Sequence, residues 1–234
     1  MAHDGQDLSA AQGVVLPDLL RLTGAAVAPA ETVLDRATER LRAEVTADGR
    51  VSGRLVEANQ TAAHGLAWLA TYVESLRQMH RWAERLDGEG RFTEVEQLIL
   101  QIAFGEYLAQ LRGGLQMSQG EILRLQDLGL GEEETRALAA PEVMTLVQQG
   151  NTQGARTRLV ELMQERAAEV TVGASGLDDE LEMIREQFRR FVVDKVQPHA
   201  HEWHLKDELI PMEVITELAE MGVFGLTIPE DYGG

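Results

Sequence analysis

The stretch FTEVEQLILQIAFGEYLAQL, residues 92–111, decides the fold class of this chain. Its apolar residues recur at helical spacing, but they occupy much of the helix circumference instead of a single stripe. Such a pattern is typical of a helix at the centre of a bundle, where several neighbours cover it. Gly113 and Gly114 follow after Arg112 and indicate where the helix ends. The stretch therefore predicts an all-α protein built around one central helix.

Two amphipathic segments precede the central helix. AETVLDRATERLRAEV, residues 30–45, places its apolar residues three or four positions apart on an otherwise charged helix, and ADGR then breaks it. LVEANQTAAHGLAWLATYVESLRQMHRWAERL, residues 55–86, keeps its apolar residues on one side throughout. We expect the second segment to be one long helix, unless Gly65 bends it.

Three further helices have recognisable start signals. Ser118 and Glu121 have the spacing of a capping box before ILRLQDLGL. Pro141 can occupy the first turn of PEVMTLVQQ, and Asn151 can cap TQGARTRLVELMQERAAEV. Runs in which Val, Ile or Thr alternate with polar residues, as in strands, are missing. Residues 31–170 are therefore predicted to form a helical bundle, here called the leader.

The segments on either side of the leader differ from it in composition. Residues 1–30 mix short apolar runs with Gly and Pro, which predicts a flexible N-terminal segment with one short helix. Residues 171–176 are small and uncharged, and we interpret them as a linker. Residues 177–234 are predicted to open with an amphipathic helix that stops at Pro198 and to continue with a shorter helix closed by Gly222.

The overall composition excludes several functional classes. The 234 residues carry a net charge of -18, which repels nucleic acid and anionic membrane surfaces. The absence of Cys removes disulfides, thiolate metal sites and cysteine nucleophiles. No apolar stretch reaches the roughly 18 residues of a membrane span, and the N-terminal residues lack the pattern of a signal peptide. Together these features predict a cytoplasmic protein.

Three histidines form the most obvious candidate metal site. His199, His201 and His204 lie together in PHAHEWH, with Glu202 between them. On a helix His201 and His204 would share a face while His199 would point almost the opposite way, so ligation by all three requires an irregular loop. We interpret the stretch as a polar turn between two helices and expect no metal site.

The leader also contains histidines and carboxylates that could suit a di-iron bundle. Such a centre needs Glu-x-x-His pairs on inward faces, and no Glu of the leader is followed by His at that spacing. We therefore interpret these residues as helix-surface charges with arginine partners. The aromatic residues Trp68, Tyr72, Trp82 and Phe104 are expected to pack in the core or at an interface instead of stacking on a cofactor. The histidines and carboxylates concerned are His64, His80, Glu74, Glu84, Glu96 and Glu106.

Residues 177–234 resemble the N-terminal opening of the acyl-CoA dehydrogenase flavoprotein family. The matching features come in the family's order: Pro198 after the first helix, the Glu202–Trp203 pair, Pro211 at a helix start, the MGVFGL turn and the final IPEDYGG. The resemblance covers about a quarter of the chain. It includes only the first part of the family's helical N-terminal domain.

The resemblance implies the activity of a flavoenzyme. Family members bind FAD non-covalently and oxidise an acyl-CoA thioester to its α,β-enoyl form. A glutamate takes the α-proton, the β-hydrogen leaves as hydride to the flavin, and electrons pass to an electron-transferring flavoprotein. That glutamate and most flavin contacts lie in later parts of the family fold. We therefore expect no catalytic, cofactor-binding or metal-binding residue in this chain, no activity from residues 1–234 alone, and a homo-oligomeric parent protein.

The leader departs from the ordinary family pattern, in which the opening helix lies close to the N-terminus. A leader of this size is similar to that of the methylsuccinyl-CoA dehydrogenases, which oxidise (2S)-methylsuccinyl-CoA to mesaconyl-CoA. One hypothesis is that the leader packs on the dehydrogenase body or at a subunit interface, covering surplus apolar faces of the central helix. A second is that it docks a partner protein. The alternative for the whole chain is a non-catalytic helical adaptor that carries a relic of the family.

Overall fold

The computed structural model describes residues 13–166 and 172–233. The chain divides into two compact units, Met1–Gly176 and Leu177–Gly234, called here the leader unit and the second unit. Helices dominate both, so the all-α prediction is confirmed. Residues 1–12 of the predicted flexible segment and residue 171 of the predicted linker lie outside the described residues.

The leader unit contains seven α-helices among its described residues, with two short hairpins and two 3₁₀ turns between them. In chain order these elements are α1 (Leu19–Val45), β1 (Thr46–Ala47), β2 (Arg50–Val51), α2 (Gly53–Ala58), α3 (Gln60–Gly88), α4 (Glu94–Gly113), β3 (Leu115–Gln116), β4 (Ile122–Leu123), a 3₁₀ turn (Leu125–Leu128), α5 (Glu132–Thr135), a second 3₁₀ turn (Arg136–Ala139), α6 (Pro141–Gln149) and α7 (Gln153–Glu165).

Helix α4 is the central helix that its sequence predicts. Leu98, Leu100, Phe104 and Leu108 are fully buried on it, although they point in several directions. It packs against α1, α3, α6 and α7, which together cover most of its circumference. The apolar faces of α4 are therefore covered inside the leader unit.

Helix α1 is longer than predicted. It begins at Leu19 and continues through Pro29 to Val45, where the sequence predicts a short helix followed by a separate one. Pro29 lacks the N–H for one helical hydrogen bond. The helix nevertheless continues, because buried residues before and after Pro29, including Ala26 and Val33, pack into the core with α3. The stabilisation from packing of α1 in the core therefore outweighs the tendency of Pro29 to break the helix.

The long segment after α1 breaks at Asn59, not at Gly65. Asn59 leaves the helical conformation and separates α2 from α3, and its side-chain amide donates to the Leu55 carbonyl at 2.8 Å. Gly65 lies buried inside α3, where a Cβ atom would come within 2.4 Å of the Leu123 side chain. Gly65 is therefore a contact residue and not a bend.

The predicted capping box at Ser118 and Glu121 is wrong. These residues form the turn of the hairpin between β3 and β4, in which Leu115 pairs with Leu123. The buried Leu115 and Leu123 side chains hold the hairpin in the core, so the sequence ILRLQDLGL forms a strand and a 3₁₀ turn instead of a helix.

Of the two start signals predicted for the last helices of the leader unit, one is confirmed and the other is wrong. Pro141 occupies the first turn of α6, as predicted. The cap of α7 is Thr152, not Asn151, because the Thr152 hydroxyl accepts from the Ala155 N–H at 3.2 Å. The Asn151 side chain contacts Glu106 and Arg156 instead.

The second unit contains three helices among its described residues. They are α8 (Asp179–Phe191), α9 (Gln197–Leu205) and α10 (Met212–Glu220), with a π-helical turn (Val192–Val196) between α8 and α9 and a 3₁₀ turn (Glu230–Tyr232) near the end.

Pro198 does not stop the first of these helices. The Gln197 N–H donates to the Val192 carbonyl five residues earlier, which widens the helix by one residue just before the proline. Pro198 then lies in the first turn of α9, where a missing N–H costs little. The predictions of a stop at Pro198 and of a polar turn at PHAHEWH were wrong, since the helix continues to Leu205.

Gly222 ends α10 as predicted. Its φ angle is 78°, and the N–H of Val223 donates to the Leu218 carbonyl in the pattern of a Schellman motif. An ion pair of 3.1 Å between Lys195 and Glu217 connects the π-helical turn to α10. None of the helices described in either unit is both long and apolar enough to span a bilayer.

Candidate functional site

The three clustered histidines lie on a regular helix. His199, His201 and His204 are exposed on α9, and the His199 ring stacks on Trp203 with centroids 5.7 Å apart. A helix directs His199 away from the other two side chains. In residues 13–166 and 172–233, no group of three His, Asp or Glu side chains is arranged to hold a metal ion.

The leader carboxylates considered for a di-iron centre have separate partners. Glu74 pairs with Arg77, and Glu84 lies 3.5 Å from His80. Glu96 is buried and caps α4, because it accepts from the Thr93 N–H at 3.0 Å. The Thr93–Glu96 spacing is that of a capping box, a signal that could have identified this role from the sequence.

Helices α3, α4 and α7 are joined by a chain of polar side chains, here called the polar chain. The Tyr72 hydroxyl donates to Gln110, and the Gln110 amide donates to Glu106 at 2.7 Å. The second Glu106 oxygen accepts from the Asn151 amide at 2.8 Å. Asn151 in turn accepts from Arg156 at 2.6 Å. These four hydrogen bonds connect the three helices.

The phenol at the end of the polar chain is held in its protonated form. Burial raises the pKa of Tyr72, and the neighbouring Tyr107 and Glu106 raise it further. Its ring stacks on Tyr107 with centroids 4.6 Å apart. A neutral phenol donates a hydrogen bond but does not act as a base, which suits a positioning role.

A second contact between α4 and α7 is an ion pair. Arg158 donates two hydrogen bonds of 2.8 Å to Glu94, and the side-chain hydrogen bond lowers the pKa of that carboxyl. Both side chains are partly exposed, so salt screens the pair. This contact also fixes helix orientation.

A surface depression of about 690 Å³ lies between α1 and the α5 region of the leader unit. Its charged lining residues include Arg36, Arg40, Glu133 and Glu134. Arg36 and Arg40 already pair with acidic residues of α1, and their side chains are more than half exposed. The depression therefore lacks the buried polar groups that characterise a small-molecule site.

The second unit differs from the leader unit in burying almost nothing. Phe191 is its only buried side chain among residues 177–233. Its large apolar side chains form an exposed set, here called the apolar surface. Its members are Leu177, Leu181, Met183, Val192, Val193, Leu205, Leu209, Ile210, Met212, Phe224, Leu226, Ile228 and Tyr232. Apolar side chains mark a surface that other protein covers when they form one contiguous exposed patch.

Comparison with known proteins finds matches to the second unit. Residues 178–234 match the family model of the acyl-CoA dehydrogenase N-terminal domain. The chain is 38% identical over 58 residues to a glutaryl-CoA dehydrogenase of Desulfococcus multivorans, covering 25% of this chain and 15% of the relative. It is 34% identical over 58 residues to a probable acyl-CoA dehydrogenase of Bacillus subtilis, with the same coverage of both chains. The resemblance derived from the sequence is confirmed.

A third relative shares the leader as well. The chain is 58% identical over 222 residues to a (2S)-methylsuccinyl-CoA dehydrogenase of Cereibacter sphaeroides, which covers 94% of this chain. The chain spans 39% of the length of that relative. Similarity thus extends through both units, well beyond the region shared with the other two proteins.

Proposed function

From the premise that residues 178–234 carry the start of an acyl-CoA dehydrogenase N-terminal domain, we propose that this chain is the N-terminal part of an FAD-dependent acyl-CoA dehydrogenase. The proposed reaction is α,β-dehydrogenation of an acyl-CoA thioester. The proposed substrate is (2S)-methylsuccinyl-CoA, with mesaconyl-CoA as product.

The observation that carries the substrate proposal is the extent of the similarity. The match to the methylsuccinyl-CoA dehydrogenase spans 222 residues, whereas the matches to the two other dehydrogenases span 58 residues each. Of these three relatives, the methylsuccinyl-CoA dehydrogenase is the one whose similarity extends over the leader unit. A shared leader supports a shared architecture, and with it the substrate named for that relative.

In this proposal, the second unit supplies structure and not chemistry. Its apolar surface supports a role as the opening part of a larger domain, whose remaining elements cover Leu209, Phe224 and similar residues. We assign no catalytic, flavin-binding or metal-binding role to any residue of this chain. FAD, when bound to the full enzyme, accepts the hydride, and the groups that contact it belong to other parts of the protein.

For the leader we propose a structural role. Only five large apolar side chains are exposed among its described residues: Val14, Val51, Ile122, Val160 and Met163. The faces of α4 are covered within the leader unit itself, so the central helix does not need the dehydrogenase body or a partner protein to cover it. These features support a self-contained bundle over a docking module.

The remaining features of the parent protein are proposed from the family resemblance. Electrons would pass to an electron-transferring flavoprotein, and the enzyme would be a homo-oligomer. The lack of Cys supports a cytoplasmic location, because a reducing compartment needs no disulfides.

The test uses the full-length protein and the 234-residue chain in parallel. We expect the purified full-length protein to show flavin absorbance and to oxidise methylsuccinyl-CoA faster than straight-chain acyl-CoA thioesters. The 234-residue chain should be colourless and inactive. A full-length protein that binds no flavin would contradict the enzyme proposal and favour a helical adaptor. A flavoprotein that prefers straight-chain substrates would contradict the substrate proposal alone.

A further inference from the structure

The segment that connects the two units is held against the leader unit. Residues 172–176 are half-buried, although their small, uncharged side chains suggest a flexible linker. Val172 packs on the small apolar cluster that contains Val95, Leu98 and Leu162. Gly173 lies against the side chains of α4, where its Cβ would be 3.3 Å from Ile99.

Both backbone groups of Ala174 are bound by leader side chains. Its N–H donates to a carboxylate oxygen of Glu96 on α4 at 2.8 Å. Its carbonyl accepts from the indole N–H of Trp82 on α3 at 3.0 Å. Two side chains from different helices thus bind the N–H and the carbonyl of one residue.

The two carboxylate oxygens of Glu96 accept hydrogen bonds from different parts of the chain. Oε2 accepts from the Thr93 backbone and hydroxyl and so caps α4, whereas Oε1 accepts from Ala174. The bond to Ala174 can therefore be broken without removing the helix cap. Glu96 is only 2% exposed, so its bond to Ala174 is shielded from water.

Gly176 permits the close approach of the segment to Trp82. Its φ angle is 67°, in the left-handed region that favours glycine. A Cβ atom at this position would lie 2.8 Å from Cδ1 of the Trp82 ring. Both the backbone conformation and the contact with the indole require the absence of a side chain.

We propose that Trp82 and Glu96 form a clamp that closes residues 172–176 onto α3 and α4 as a strap, so that the leader unit ends in a fixed exit segment. The N-cap of α8, Asp178, comes two residues after Gly176, so the strap extends almost to the start of α8. Opening the clamp would release residues 172–177, which span about 20 Å when extended. The strap thus sets the length of the connection to the second unit.

Hydrogen exchange at the Ala174 amide, measured by NMR on the 234-residue chain, tests this proposal. We expect the amide to exchange at least about tenfold more slowly than in an unstructured peptide, as a buried hydrogen bond to a carboxylate requires.

Glu96→Gln is the decisive variant. Its amide oxygen can still accept from Thr93, as in Ser/Thr-x-x-Gln capping boxes, but its NH₂ group would then face the Ala174 N–H. Protection at Ala174 should fall about tenfold, while α4 keeps its amide protection.

Trp82→Phe, with Trp68→Phe as its control, tests the other half of the clamp. Trp82→Phe keeps an aromatic ring but loses the donor to Ala174, so elastase should cut the chain within residues 172–176 faster than in the wild type. Trp68 lies on the same helix and donates to His64, away from the strap, so Trp68→Phe should leave the cleavage rate unchanged.

Free-peptide exchange at Ala174 in the wild type would overturn the proposal, as would unchanged protection in Glu96→Gln. Hydrogen exchange and elastase cleavage do not depend on flavin binding or on enzyme activity. They therefore test the clamp independently of the proposed reaction.

Discussion

Gly105 on α4 and Gly150 at the end of α6 meet with their backbones in contact. A Cβ atom at Gly150 would lie 3.2 Å from the Gly105 Cα atom and 2.7 Å from the Gln101 carbonyl. A Cβ atom at Gly105 would lie 2.8 Å from the Asn151 N atom. The atoms nearest to each added Cβ are backbone atoms of the facing segment. Rotation of a side chain therefore cannot make room for a methyl group.

Gly105→Ala should therefore destabilise the leader unit. The added methyl group would push α4 away from α6, and overpacking of this kind costs about 1–3 kcal/mol. Urea unfolding followed by circular dichroism measures the loss. Gly113→Ala on the same helix is the matched control, since a Cβ there meets no atom within 4 Å. The control should be neutral or gain up to about 1 kcal/mol. Equal effects of the two substitutions would contradict the contact.

The cap of α7 can be tested with two substitutions at Thr152. Thr152→Ala removes the hydroxyl that accepts from Ala155 and should cost about 1 kcal/mol of unfolding free energy. Thr152→Ser retains a capping hydroxyl and should remain close to the wild type. Thermal or urea unfolding distinguishes the two. No loss in Thr152→Ala would mean that another residue caps this helix.

The stability of the leader unit should depend on the ionisation of Glu96. Burial alone would raise the pKa of Glu96, but hydrogen bonds from Thr93 and Ala174 outweigh it and lower the pKa below the ordinary value of 4.5. The stabilisation is therefore complete above pH 4.5 and is lost as the pH falls through the lower, folded-state pKa. Urea midpoints between pH 7 and pH 3 measure this loss.

Other carboxylates also titrate in that range, so the difference between wild type and Glu96→Gln is the quantity to follow. The variant lacks the titrating group, so its midpoint should fall less steeply with pH than that of the wild type. Parallel pH profiles for the two proteins would show that Glu96 does not contribute.

Gln101 should anchor the chain before α1. Its buried amide accepts from the Leu16 N–H at 2.7 Å and donates to the Val14 carbonyl at 3.0 Å. Gln101→Leu leaves both backbone groups without these partners and should cost about 1–3 kcal/mol. Hydrogen exchange at Leu16 should accelerate. Gln97→Leu, one turn earlier on α4, removes a bond within the local chain and should leave exchange at Leu16 unchanged.

The sequence predicted α4 well because its pattern reflects the environment of the helix. Apolar residues around the whole circumference require several neighbours, and the structure supplies them. Pro141 and Gly222 were also predictable, since fixed φ angles and missing side chains act locally.

The errors arose where distant contacts decide the local structure. Helix α1 continues through Pro29 because the core holds both halves, and the Leu115–Leu123 pair turns a predicted helix into a hairpin. The composition of residues 171–176 predicts a linker, but it does not show that Trp82 and Glu96 bind Ala174. Contacts across some 80 or 90 residues leave no trace in a local pattern.

The π-helical turn at Val192–Val196 has a consequence for interpreting variants of this region. One extra residue per turn rotates everything after it by about 100° relative to a regular helix. Removing one residue from the turn would therefore rotate His199 and Trp203 by about 100° around the helix axis while leaving their spacing intact. Among relatives, the length of this turn would determine which side chains of α9 face the same neighbours, even where the sequences of α8 and α9 are identical.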